Sequence, residues 1–398
     1  MRRFLIPLFL SLLAFSGLLG LIFLATMRGA EKPAQLCGFK TSPVMRQGEK
    51  WRLGYLQGGA YSNYGEQLKS LANALESMGW LAKPPYPKDV APGDAATLWR
   101  WLARHVRSDY LDFREDAFYD ARWDDAIRAK TKAGLLARLK RGSDIDLMLA
   151  AGTWAGQDLA NNQHSTPTVV FAVTDPVRSG IVKSAGDSGF DHLHVDCDPD
   201  CHRRQIRAFH NIFRFKRLGV VCEDSPDGRV WACLDELEEL SKAKGFALVV
   251  AYVPETNIPK VEASRLAKAA IAALAPRIDA LWLSEHNGLD VEFMPDVLAP
   301  AFAWRLPTWS IKGAIAARSG ALLAMSDSDR ANAGRANAQA LAAAMNGAKP
   351  RDLPQGYASP KALAFNLKAA ERIGYTAPHG LFVVAGDVFN RIEGPNGE

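Results

Sequence analysis

Several short polar stretches of this chain each follow an apolar run of strand length and could act on a small molecule. Tyr61 and Ser62 lie in the stretch Gly58 to Asn63, Thr153 and Trp154 follow Gly152, and Thr174 and Asp175 precede Pro176. Later come Glu223-Asp224-Ser225, Pro254-Glu255, Glu285-His286-Asn287 and Ser326-Asp327. Glu223, Asp224 and Glu285 would welcome an ammonium group. Helices starting near Thr153 and Ser326 would offer free backbone N–H groups to a carboxylate or another anion. Tyr61 and Trp154 could stack on an apolar or aromatic part. A zwitterion such as an amino acid is the simplest solute to use all three. Taken singly, each residue reads equally well as a helix cap or turn residue; the set gains force because both halves of the chain supply it.

A second constellation is Asp191 to His202, DHLHVDCDPDCH. In an extended segment His192 and His194 share a face, and Cys197, Cys201 and His202 could complete the thiolate and imidazole set that zinc prefers. Against a metal, the ligands would all come from one element. The same two cysteines could form a disulfide in an oxidising compartment or stay as thiols. Cys222 and Cys233 are a second candidate pair, which would leave Cys37 over. No cofactor or metal is expected.

Catalytic signatures are missing. The sequence has no G-x-S-x-G, no H-E-x-x-H, no phosphate-binding P-loop and no G-x-G-x-x-G after a strand. His105, His164, His210 and His379 have no patterned Ser or Asp partner. The expectation is a binding protein, not an enzyme.

The elements that would carry these loops alternate in type. Trp51 to Gln57 reads as a strand and Tyr64 to Met78 as a helix, from the spacing of Leu68, Leu71, Leu75 and Met78. Asp94 is placed to cap a helix over 94–107. Strands are then expected at 110–113, 145–150 and 169–173, with helices at 123–139 and 153–161. A second series runs from Arg217 to Met325 in the same grammar. Alternation at these lengths means parallel β-α-β units, so the expected class is α/β with two doubly wound parallel-sheet lobes. The divisions read as 50–176 for the first lobe, 177–213 for a crossover, 214–360 for the second lobe and 361–398 for a tail. Ligands of such sheets sit beyond the carboxyl ends of the strands.

The last third carries a family likeness. Gly347, Pro350, Asp352, Leu353 and Pro354 match a "G-x-x-P-x-D-L-P" turn, and Asn366, Ala370, Gly374 and Pro378 match an "N-L-x-x-A-x-x-x-G-y-x-x-P" tail. This succession resembles the C-terminal lobe of the ABC-transporter substrate-binding family, and more loosely the likeness extends back to about residue 50. The resemblance implies a periplasmic-binding-protein-like type I clamp, joined by a multi-strand hinge, that closes around a small solute. It also implies a tail crossing back to the hinge and an ABC permease or another envelope membrane protein as partner.

The start of the chain agrees with an extracytoplasmic setting. After Met1-Arg2-Arg3, no charge appears from Phe4 to Met27. A run of ~20 apolar residues can cross a bilayer, whereas a cleaved signal needs a core of only ~7–15. Residues 1–30 therefore read as a signal peptide or an N-terminal membrane anchor, with the rest in the periplasm or on the outer face of the cytoplasmic membrane. The remainder has ordinary globular composition, 48% hydrophobic and 23% charged. A net charge of +5 is too mild and too evenly spread for nucleic acid. Two roles fit: presenting a solute to a permease, or tethered sensing and scaffolding through a partner.

Overall fold

The computed structural model describes residues 38–86, 94–142, 144–327, 330–356 and 361–394. In chain order its elements begin with β1 (Trp51–Gln57), α1 (Ser62–Ser77), α2 (Ala95–His105), β2 (Leu111–Asp120), α3 (Asp125–Arg141), β3 (Leu147–Ala151), α4 (Thr153–Leu159), β4 (Thr168–Phe171) and β5 (Leu193–Val195). There follow α5 (Cys201–Phe213), β6 (Arg217–Cys222), α6 (Pro226–Trp231), α7 (Leu234–Lys244), β7 (Ala247–Tyr252), α8 (Lys260–Leu274) and β8 (Ala280–Leu283). Next are α9 (Met294–Val297), α10 (Ala299–Ala303), β9 (Thr308–Ser310), α11 (Ala314–Arg318), β10 (Leu323–Asp327) and α12 (Arg330–Met345). The chain closes with β11 (Lys361–Asn366), α13 (Leu367–Ile373), α14 (His379–Val384) and β12 (Ala385–Phe389).

Two sheets result. The first has the order β2-β1-β3-β4-β5, and all its pairs are parallel. The second has the order β12-β11-β10-β9-β8-β6-β7, parallel except where β11 runs antiparallel to β10. The architecture is two α/β lobes. Each sheet carries one core on each face because strand residues alternate sides. On β1, Leu53 and Tyr55 join the cluster with Leu68 and Trp99, while Leu56 joins Leu135 and Leu139 on the other face.

Local chemistry sets the helix ends. Asp94 caps α2 by accepting from the Thr97 backbone N–H at 2.8 Å, and Asp124 caps α3 through the Ile127 N–H at 2.9 Å. Gly142 ends α3 in the left-handed conformation (φ 67°) that glycine adopts without Cβ strain.

Three expectations change. The second strand runs to Asp120 instead of Phe113: β2 is an edge strand, so its Arg114, Glu115 and Asp116 face solvent and interrupt the apolar run. The stretch 177–213 is not only a crossover, because Leu193–Val195 adds β5 to the first sheet. The tail does not itself return to the hinge, for β11 and β12 are strands of the second sheet. The return is made earlier, by α12. Its Ala338, Leu341 and Ala342 share a core cluster with Leu68 and Leu71 of α1, and a Cβ on Gly334 would lie 2.4 Å from the Ser70 carbonyl carbon. Part of 214–360 thus belongs with the first sheet, and β11 re-enters the second sheet from the opposite direction.

The histidine and cysteine constellation is dispersed by the same elements. No disulfide joins Cys197, Cys201, Cys222 or Cys233. Among the described residues no group of three or more His, Cys, Asp or Glu is arranged to hold a metal. The segment passes from β5 into α5, and its imidazoles are spent on backbone carbonyls. His192 Nε2 lies 3.2 Å from Leu159 O, His194 Nε2 lies 3.1 Å from Pro354 O, and His202 Nε2 lies 2.9 Å from Thr174 O.

Candidate functional site

Each sheet reverses its strand order once in the series 2-1-3-4-5, between β1 and β3 in the first and between β6 and β8 in the second. The crevice of an open parallel sheet lies beyond the carboxyl ends at that switch point. Here the two crevices face each other. The cavity between them is lined from the first lobe by Tyr61, Asn63, Tyr64, Trp123, Thr153, Ala172 and Thr174 and from the second by Trp231, Glu255, Glu285 and Asn287. It is narrow, with about 430 Å³ of unfilled space, mouth included.

Aromatic rings make one wall. Trp123 lies 6.5 Å from Tyr61, 5.4 Å from Trp154 and 6.0 Å from Trp231 between ring centroids. Its indole packs directly on the loop after β1, where a Cβ on Gly59 would sit 2.3 Å from the ring. Glycine is therefore required there, and the Trp123 Nε1–H donates to Ala60 O at 3.1 Å.

Carboxylates make the other wall. Tyr61 donates its hydroxyl hydrogen bond to Glu285 Oε2 across the cleft, and Lys312 Nζ lies 3.0 Å from the same oxygen and 4.4 Å above the Tyr61 ring. Lys312 is 5% exposed. Burial, and then the charge of Asp290, pushes the Glu285 carboxyl up to about 8, while burial pulls the Lys312 ammonium well below its usual range. Burial thus weighs against charge on both partners. Glu255 is 3% exposed; its Oε2 accepts the Asn287 N–H at 2.7 Å, and its Oε1 has no hydrogen-bond partner among the described residues.

Polar contacts cross the cleft around this cavity. Trp231 Nε1 donates to Thr153 Oγ1 at 3.1 Å, Trp154 Nε1 to Asp227 Oδ2 at 2.9 Å, and Gln157 Nε2 to Asp227 Oδ1 at 3.0 Å. Ser62 donates to Asp290 Oδ1. Asn257, in the loop after β7, donates to Trp123 O at 2.8 Å and accepts from the Asp125 N–H at 2.9 Å, at the start of α3.

The residues nominated from sequence divide accordingly. Tyr61, Thr153, Thr174 and Glu285 line the cavity. Ser62 and Trp154 stand beside it, holding the lobes together. Asp175 does not reach it; its Oδ1 accepts from the N–H groups of Val177 and Arg178 at 3.0 and 2.9 Å and so shapes the turn. Glu223 is likewise occupied. Its Oε1 accepts from the N–H groups of Glu255 and Thr256 at 2.9 and 3.0 Å and from the Thr256 hydroxyl at 2.8 Å. Burial works to raise its pKa, but these bonds hold it below the usual range. Asp224 is exposed to solvent outside the cavity. Ser326 and Asp327 end β10, and their side chains lie outside the described residues.

Sequence reasoning missed Tyr64, Trp123, Ala172 and Trp231 as cavity residues, and passed over Asn63, Glu255 and Asn287 within loops it had marked. Trp123 was within reach: had β2 been read to Asp120, the same carboxyl-end rule would have selected the loop that follows.

Solved structures share this fold. A conserved domain protein from Vibrio cholerae superposes with a TM-score of 0.64 at 19% identity, covering 85% of this chain and 99% of its own. An ABC domain from Streptococcus pneumoniae, solved in complex with L-Trp, gives 0.64 at 20% identity, with 85% and 100% covered. A ligand-free, open substrate-binding protein with adhesive properties from Clostridium difficile gives 0.56 at 19% identity, with 86% and 100% covered. No curated protein matches the sequence. Among the described residues no helix is long and apolar enough to cross a membrane; the apolar stretch 4–27 lies outside them. The family model for ABC transporter substrate binding proteins matches residues 120–389, and the chain belongs to that extracytoplasmic family.

Proposed function

We propose that the cleft binds a small solute carrying an ammonium group and an aromatic or apolar part, an amino acid of that kind above all, and that the chain presents it to an ABC permease. The observation that carries this reading is the buried Glu255 carboxyl. One of its oxygens is unpartnered, in a cavity walled by Tyr61, Trp123 and Trp231. A buried acceptor left unmatched costs free energy until something donates to it, and the flanking carboxylates favour a cation as the donor. Indole and phenol rings add stacking and cation–π attraction. The neighbour solved with L-Trp shares the fold and supports a solute of this size and kind.

The lobes divide, in this reading, so that residues 50–195 and α12 form one unit and 217–327 with 361–389 the other. Solute enters while they are apart and is enclosed when they meet. The N-terminal segment 4–27 keeps the clamp at the outer face of the cytoplasmic membrane or is removed on export.

Calorimetric titration of the purified protein with L-tryptophan, tryptamine and indole-3-propionate tests the solute class. The two ammonium compounds should bind and the third should not. Glu255→Gln should weaken binding by about 1–3 kcal/mol. Equal binding of indole-3-propionate would sink the reading.

A further inference from the structure

We propose that Glu255 holds a proton in the empty cleft and that a cationic solute takes that proton's place, so that binding releases a proton and tightens as pH rises. The proposal rests on reading the cleft as an ammonium site and adds its regulation.

Among the described residues the geometry offers this carboxyl no cationic partner. Glu255 Oε2 receives the Asn287 backbone N–H at 2.7 Å, and the Glu255 carbonyl receives the Asn287 side-chain amide at 3.0 Å. Among the described residues the basic group within ion-pair reach of Oε1 is His286, whose Nε2 is 3.9 Å away. That imidazole is already committed on both sides: Nε2 lies 3.1 Å from Val253 O, and Nδ1 accepts from the Gly288 N–H at 3.0 Å. It is therefore the neutral Nε2–H tautomer, and its one proton points elsewhere. Burial pulls its pKa down to about 4, which keeps it neutral.

Among the described residues, the ionisable groups acting on Glu255 from the elements around it are acidic. They are Glu223 from the loop after β6, Asp227 from α6 and Glu285 from the loop after β8. Lys312, from the loop after β9, turns to Glu285. The first lobe presents Tyr61, Tyr64, Thr153 and Thr174, which carry no charge at neutral pH. Burial first, and then these like charges, push the Glu255 carboxyl well above the usual range, against a partial offset from the Asn287 N–H. An ammonium reverses that balance: the Glu255 O–H bond breaks, the proton passes to bulk buffer, and an N–H of the cation donates to the carboxylate. Charge in the cleft then changes little, because one cation replaces one proton.

Titration calorimetry of the full chain with tryptamine and L-tryptophan, in two buffers of different ionisation enthalpy, counts the protons released. The expected result is about one proton per solute, and an affinity that rises with pH, by up to about tenfold per pH unit, for as long as Glu255 is protonated in the empty cleft. Glu255→Gln keeps the acceptor for Asn287 and should abolish both effects. The infrared difference between wild-type and Glu255→Gln protein without solute provides a ligand-independent check: a protonated-carboxyl C=O stretch should be present at pH 7. Binding without proton release, or absence of that band, overturns the proposal and leaves the solute class standing. Failure of both ammonium probes to bind removes the solute class and the exchange with it, whatever the band shows.

Discussion

Glu223 and Glu255 stand on neighbouring loops, yet their surroundings give them opposite tasks. Glu223 accepts four hydrogen bonds, counting one from the Ser225 hydroxyl at 3.1 Å, and acts as the knot of the 223–256 corner. Glu223→Ala should therefore cost about 1–3 kcal/mol of stability by leaving buried donors unpaired, visible as a lower Tm, while the folded fraction still binds solute. Loss of binding with Tm unchanged would instead make Glu223 a ligand contact. Sequence marked both loops as polar stretches after strands but nominated only Glu223; it could not say which carboxyl is consumed locally, because that depends on the Thr256 N–H and hydroxyl meeting the Glu223 carboxyl. A second prediction belongs to the histidines His164 and His192, whose rings lie 4.4 Å apart beneath β5. Burial, followed by the neighbouring imidazole, lowers His164 from the ordinary 6.5 to about 4, and burial lowers His192 as well. The unfolded chain binds protons here that the folded one refuses. Their contribution to stability is thus complete above pH 6.5 and lost as pH falls toward about 4. Thermal melts across that range should show a declining Tm, and the double variant His164→Gln/His192→Gln should flatten the decline.

At the scale of elements, the strands buried on both faces were the easiest to read, since β3, β4 and β6 are nearly uninterrupted apolar runs. The edge strand β2 was the hardest. Its charged middle satisfies solvent on one side and the sheet on the other, so periodicity alone clips it, and the loss of its last residues hid Trp123 from the site. Helix α12 was legible as a helix but not as a part of the first lobe. Its apolar face is mostly alanine, a composition that fits against either sheet and is decided only by how closely α1 can approach. Gly334 fixes that approach, with the Ser70 carbonyl carbon 2.4 Å from the position of a Cβ. Gly334→Leu should cost about 1–3 kcal/mol through overpacking, whereas an added methyl on an exposed face of the helix should cost little. Equal stability of Gly334→Leu in denaturant unfolding would mean that α12 does not pack there.

For the whole molecule, the proposed closing of the lobes would use the three chain passages between the sheets as a hinge, so that the lobes part without unfolding either. In the proposed reading a solute the size of an amino acid is admitted with the lobes apart, because residues of both lobes close around the cavity. Among the polar contacts that join the lobes, two sets lie outside the cavity: Asp227 to Trp154 and Gln157, and Asn257 to the start of α3. A hydrogen bond contributes about 0.5–1.5 kcal/mol net, and about 1.5–3 kcal/mol where a carboxylate accepts, so removing both sets should shift the equilibrium between apart and together by roughly 2 kcal/mol or more. At about 1.4 kcal/mol per tenfold change, that is a change of over tenfold in population. The double variant Asp227→Ala/Asn257→Ala should therefore show a larger radius of gyration than wild type in small-angle scattering without solute. It should return to the compact value at saturating solute, and should bind more weakly by about the same factor, because solute must then supply the closure energy. No solute-lining residue is changed in this variant, and because Asp227 also acts on Glu255 the radius of gyration, not the affinity alone, reports the opening. A radius of gyration identical in wild type and variant, and unmoved by a tightly bound solute, would mean that the lobes form one rigid body and that the cleft does not work by closing.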